Sequence, residues 1–173
     1  MTVGEIGEFG LIERVTGRLR GGPAALLGPG DDAAVVRTAD GRVVASTDLL
    51  VEGTHFRRDW STAADVGTKA AAQNLADIAA MGAVPTALLV GLACPPELPV
   101  AWAEEFTTAF DAECALVGAV LVGGDVTRSA TLCIAVTALG DLEGRPAVTR
   151  GGAEPGDVVA VAGRLGWSAA GLA

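Results

Sequence analysis

The sequence predicts a mixed α and β fold, a single layered domain in which helices cover a sheet, and two observations carry that prediction. Segments with helical periodicity alternate with short apolar runs rich in β-branched residues along the chain. Half of the 173 residues are hydrophobic and 19% are charged, a balance that excludes disorder and supplies enough apolar surface for a core.

The elements follow in order. Phe9, Ile12, Val15, Thr16 and Leu19 recur at three- and four-residue spacings, which predicts a helix over Gly7 to Leu19, stopped by Gly21-Gly22-Pro23. Ala34-Val35-Val36 and Arg42 to Thr47 read as two strands joined by a turn at Ala39-Asp40-Gly41, because Asp-Gly favours a tight reversal. Thr62-Ala63-Ala64-Asp65 has the spacing of a capping box and opens an alanine-rich helix to Met81, with Gly82 as its stop and Gly67 as its one internal breaker. Thr86 to Ala93 is an apolar strand. Pro99 suits the first turn of a helix that sets Trp102, Phe106 and Phe110 on one face. Leu116 to Val122, ending in Gly123-Gly124-Asp125, and Thr131 to Leu139 read as buried strands. Beyond a glycine- and proline-bearing connection at Gly151 to Gly156, Asp157 to Ala162 predicts one more strand, and the last residues read as a loop entering a helix. These features divide the chain into a domain over 1–150 and the start of a truncated second domain over 151–173.

Charge and cysteine content narrow the function. The net charge of −9 argues against nucleic acid and anionic membranes as partners and invites cations instead. No apolar stretch is long enough to span a membrane, and no signal peptide precedes the first helix. Cys94, Cys114 and Cys133 sit singly within apolar runs, so they read as small buried hydrophobes in a reducing, cytoplasmic setting.

Acidic residues carry the candidate chemistry. Asp31 and Asp32, Asp48, Asp77 and Asp125 each lie beside a glycine or polar turn at the edge of an apolar element, or on a helix face. Carboxylates brought together by folding repel one another unless a cation intervenes, and magnesium prefers such hard oxygens and links them to phosphates. Ser46 and Thr47 would add hydroxyl oxygens beside Asp48, and the glycines of Gly28-Pro29-Gly30 and Gly123-Gly124 allow backbone N–H groups to approach a phosphate. Each has an ordinary structural alternative: Gly-Asp-Asp and Gly-Gly-Asp also mark solvated turns, and a lone histidine such as His55 also serves structure. Asp77 stands out because its helix is poor in charge, and the three-residue spacing predicts that Asn74 shares its face. A Gly-x-x-x-x-Gly-Lys phosphate loop and a Gly-x-Ser-x-Gly nucleophile elbow are both missing from the sequence.

Five stretches taken in order, "GPGDDAAVV", "STDLLVEGTHF", "KAAAQNLADIAAMGAVP", "GGDVTRS" and "TRGGAEPGDVVAVAGRLG", resemble the thiamine-monophosphate kinases. These enzymes share a superfamily with aminoimidazole ribonucleotide synthetase, selenophosphate synthetase and a hydrogenase maturation factor. The resemblance implies the amino-terminal α/β domain of that fold, which pairs with its twin into a barrel-like dimer core, followed by a second α/β domain. It implies ATP-dependent conversion of thiamine monophosphate to thiamine diphosphate, by in-line transfer with several Mg2+ ions and no phosphoenzyme. Carried over by position, Asp32, Ser46, Thr47, Asp48, Asp77 and Asp125 correspond to magnesium ligands, Gly124, Asp125 and Arg150 to nucleotide contacts, and His55 to a substrate contact. Asp31 is expected chiefly to shape its loop. Lys69 and Arg128 lie near the motifs, and their residue types leave open a role in the site or a solvated, ion-paired one. Two other readings compete: a dimerisation module without catalysis, and a sister ATP-dependent activity. Selenophosphate synthesis is disfavoured, because no cysteine precedes the first glycine motif.

Overall fold

A four-stranded sheet with two long helices on one face organises the chain, as seen in a computed structural model that describes residues 1–29 and 33–172. The elements are α1 (Val3–Thr16), β1 (Ala25–Leu27), β2 (Val35–Val36), β3 (Val44–Val51), α2 (Ala63–Ala80), β4 (Val84–Cys94), α3 (Val100–Ala115), β5 (Val120–Arg128) and β6 (Cys133–Asp141). A 3₁₀ turn (Arg150–Gly152) and α4 (Trp167–Leu172) follow. The strand order is β3-β6-β4-β5. Strands β4 and β5 are parallel and joined through α3, whereas β6 runs antiparallel to both β3 and β4.

Alternation along the strands sorts the side chains. Leu50, Leu88, Leu92, Ile134, Val136 and Ala138 turn toward α2 and α3 and join Val66, Ala70, Ile78, Phe106 and Phe110 in the main core. Helix α2 starts as its capping box predicts: the Thr62 hydroxyl accepts from Asp65 N–H at 3.1 Å, and Thr62 N–H donates to the Asp65 carboxylate at 2.9 Å. Gly67 does not break it. A Cβ there would stand 2.4 Å from the Phe106 carbonyl oxygen, so the glycine is what lets α2 lie against α3. On α3, Trp102 stacks on Phe106 with ring centroids 5.6 Å apart, and Phe106 meets Phe110 at 5.9 Å, as the four-residue spacing predicts.

Several expectations are corrected. Helix α1 begins at Val3 and kinks at Gly7 (φ +70°), and it buries Leu11 while Phe9 stands 83% exposed. Val15 and Leu19 of the expected stripe do pack against the core, where Leu11 joins them, and Phe9 turns out of it. The turn at Ala39-Asp40-Gly41 forms, yet β2 pairs with β1 and β3 pairs with β6. The turn is tied instead to the far end of β6, where Asp141 accepts from Ala39 N–H and Asp40 accepts from Gly144 N–H. Leu116 is 77% exposed in the turn that closes α3 at Gly118 (φ +75°), so β5 starts only at Val120. That strand then runs on through Gly123-Gly124-Asp125, which is strand and not turn, and β3 likewise continues past Thr47 to Val51. Asp157 to Ala162 forms no strand, and Val158 is 90% exposed, since no strand of the sheet pairs with it.

Candidate functional site

The edge strand β3 and helix α2 meet along a polar seam. Strand alternation turns Ser46 and Asp48 toward α2, where four-residue spacing lines up Gln73 and Asp77. The Ser46 hydroxyl donates to Asp77 Oδ2 at 3.0 Å, and Gln73 Nε2 donates to Asp48 Oδ2 at 2.9 Å. Among the described residues neither carboxylate has a cationic partner. Other carboxylates, Asp40, Glu52, Asp59, Glu104 and Asp111, each bridge an arginine, whereas Asp65 and Asp141 are likewise held by neutral donors but have theirs in a helix cap and a turn. Asp48 and Asp77 are thus fixed by neutral donors that leave their charge uncompensated and their remaining oxygens open.

Other expected site residues are placed differently. Thr47 faces away from α2, with its hydroxyl donating to the Val136 carbonyl at 2.9 Å and accepting from Thr137. Asp125 lies on β5, three strand spacings or about 14 Å from β3. Cross-strand register puts Gly124 on the row of Asp48 through Val136 and Val90, and Asp125 on the row of Leu49. A Cβ at Gly124 would fall 1.9 Å from the Val90 carbonyl oxygen, so only glycine fits that position of the ladder. Arg150 stands exposed in the 3₁₀ turn. Asp31 and Asp32 lie outside the described residues. The structure therefore brings together Ser46, Asp48 and Asp77, and among the described residues no cluster of three or more acidic, histidine or cysteine side chains forms.

A second feature lies at the opposite sheet edge. Gly123, Gly124 and Asp125 line a cleft of about 600 Å³ between β5 and α1, with Phe9, Ile12 and Pro29 on its far wall. Its walls are mostly apolar, and its β5 side offers exposed glycine backbone.

One residue escaped the reading of the sequence and one is placed differently from its expectation. Gln73 orients Asp48, and no spacing rule marks a glutamine for that task. Asn74 does not share the face of Asp77: it is fully buried, donates to the Ala70 carbonyl at 2.9 Å and leaves its Oδ1 without a partner. The donor set of the seam, two carboxylates and a hydroxyl, is hard oxygen throughout and fits Mg2+, which is held by one or two carboxylates and keeps several waters.

Residues 30–142 match the family described as AIR synthase related protein, N-terminal domain. Thiamine-monophosphate kinase of Mycobacterium tuberculosis is 51% identical over 172 residues, covering 99% of this chain and 52% of that protein. The crystal structure of thiamine-monophosphate kinase from Stenotrophomonas maltophilia has a TM-score of 0.61 at 37% identity, covering 75% of this chain and 39% of that one. AaThiL complexed with AMPPCP and TMP has a TM-score of 0.57 at 30% identity, covering 81% and 43% of the two chains. The chain spans about half the length of the curated relatives it matches.

Proposed function

Because this chain belongs to the family of AIR synthase related proteins, through their N-terminal domain, we propose that it carries the metal- and nucleotide-binding half of a thiamine-monophosphate kinase. The reaction is ATP-dependent phosphorylation of thiamine monophosphate to thiamine diphosphate by direct in-line transfer. The observation that carries this reading is the pair Asp48 and Asp77, ionisable, uncompensated and braced by neutral donors at one seam. Similarity to AaThiL complexed with AMPPCP and TMP supports the same substrates here.

Asp48, Asp77 and Ser46 would hold one Mg2+ at the seam, and Asp32, Thr47 on the other face of β3 and Asp125 across the sheet on β5 would serve further Mg2+ ions of the set. When bound, the metal neutralises phosphate charge. The acceptor is itself a phosphate, already ionised at neutral pH, so the protein's task is to position the two phosphates and not to remove a proton. Gly124 and Asp125 border the nucleotide in the β5 cleft, where exposed backbone admits phosphate oxygens, and Arg150 contacts it from the 3₁₀ turn. His55 contacts the substrate.

Two copies of the chain pair through the sheet face opposite α2 and α3, forming a barrel-like core. The support is that the β3–β6 part of this face is open and carries Leu49, 58% exposed, beside Ala45 and Thr47, whereas β1 and β2 cover its β4–β5 part. Residues 1–150 form the unit that holds the site, and 151–173 begin a second unit, a division supported by the exposure of every residue over 151–171. A cytoplasmic location agrees with three free cysteines, and no helix among the described residues is long and apolar enough to cross a membrane.

Calorimetry with ATP and Mg2+ tests the reading. Binding that Asp48→Asn weakens by tenfold or more, about 1.4 kcal/mol, supports it. Absence of Mg-ATP binding to the wild-type chain would leave a dimerisation module without catalysis.

A further inference from the structure

The β3–α2 seam extends one contact beyond the carboxylates. Lys69, Gln73 and Asp77 recur every four residues along one stripe of α2, and each bonds to the β3 side: Asp77 to Ser46, Gln73 to Asp48, and Lys69 Nζ to the carbonyl of His55. His55 is folded back onto the strand end. Its N–H donates to the Val51 carbonyl at 2.9 Å, and Val51 N–H donates to its Nδ1 at 2.9 Å. A backbone amide can only donate here, so Nδ1 must offer its lone pair, and the proton of the neutral ring sits on Nε2.

Lys69 is equally constrained. Its ammonium has three N–H donors, of which the His55 carbonyl takes one. The neighbouring cations Arg57 and Arg58 are bridged to Asp59 and Glu52, whereas no carboxylate among the described residues lies within ion-pair distance of Lys69. Both side chains are exposed. A helix rise of 1.5 Å per residue sets the Cα of Lys69 about 12 Å from that of Asp77, so one rigid element spaces the cationic end from the acidic end.

We propose that Lys69 and His55 form an anion-binding pair for the acceptor's phosphate monoester, with His55 acting as an Nε2–H donor and not as a proton acceptor. The proposal rests on the phosphotransfer reading for the identity of the acceptor, while the pair itself rests on the geometry of the loop. It assigns Lys69 to the site and gives His55 one chemical role out of the several open to an imidazole.

The test is ¹⁵N NMR of the imidazole and ammonium groups in the 173-residue chain, titrated first with inorganic phosphate. The expected result is the Nε2–H tautomer in the free chain, with phosphate shifting the His55 Nε2 and Lys69 Nζ signals. Lys69→Met and His55→Asn should each weaken phosphate by about tenfold or more. Lys69→Arg should retain most of the affinity. His55→Asn keeps an acceptor for Val51 N–H, so an unchanged melting temperature separates loss of the donor from loss of the loop. An Nδ1–H tautomer, phosphate affinity unchanged in both variants, or no phosphate binding by the wild type overturns the pair. Titrations with thiamine monophosphate, thiamine and Mg-ATP then separate the ligands. A response to inorganic phosphate, with thiamine monophosphate binding no better than thiamine, keeps the pair and removes the substrate reading. A response to Mg-ATP alone moves the pair to the nucleotide and overturns its assignment to the acceptor.

Discussion

Asp48 and Asp77 show how the partner of a carboxylate reports its task. An arginine partner spends the negative charge on structure, as Asp111 does with Arg20 at 2.8 Å; a serine or glutamine partner fixes the geometry and keeps the charge for something else. Asp77→Asn is therefore expected to keep the fold, since Ser46 Oγ can still donate to the amide oxygen, while lowering Mg-ATP affinity by tenfold or more by calorimetry. Asp59→Asn, which breaks only an exposed pair with Arg57, should leave that affinity unchanged. Asp65 has a different character. The Thr62 hydroxyl, and then its backbone N–H, hold the Asp65 carboxyl below its ordinary range. A depressed carboxyl supports the fold above the ordinary range and loses that support as pH falls through the lowered value. Asp65→Asn should thus flatten the acid side of a stability-against-pH curve measured by chemical denaturation.

Helix α2 gathers most of what the elements contribute, because it meets α3 through Gly67 and β3 through Gln73 and Asp77. Removing its cap with Thr62→Ala should cost about 1 kcal/mol in thermal or denaturant unfolding. Gly67→Ala should cost more, about 1–3 kcal/mol, because the added methyl meets α3 backbone that cannot rotate aside. The cap and the aromatic stripe of α3 were legible in the sequence because both depend on spacing within ten residues or so. The small size of position 67 was legible only as a helix breaker, since its purpose belongs to another helix. The same limit explains Gly123-Gly124-Asp125: paired glycines mark turns locally, and only the parallel pairing of β5 with β4 makes Gly124 a required strand residue.

At the scale of the molecule the sheet has one face covered by α2 and α3, while its other face is covered by β1 and β2 over Ala87, Val120 and Val122 and open over β3 and β6. The open part carries Ala45, Thr47 and Leu49 on β3 and Cys133, Ala135 and Thr137 on β6. Pairing of two copies there predicts a dimer in sedimentation velocity that Leu49→Glu converts to monomer, with Cys133 becoming more reactive to alkylation in the variant. Cys114 should stay inert in both states, because burial, together with the charges of Asp111 and Glu113, pushes its thiol up to about 12. The two candidate regions, the β3–α2 seam and the β5 cleft, sit at opposite edges of this sheet. Convergence of the acidic motifs depended on how the chain folds, and the described residues join only Ser46, Asp48 and Asp77.

By itself the sequence determined the α and β alternation, the capped and aromatic helices and the acidic, apolar-rich composition, since each depends on residue type and short-range spacing. Tertiary structure alone decided which strands pair, which face each acidic side chain takes and which neutral groups hold Asp48 and Asp77. The physical reason is that hydrogen-bond register and side-chain alternation act between segments far apart in the chain: a one-residue change of register would turn Asp48 from α2 to the open face.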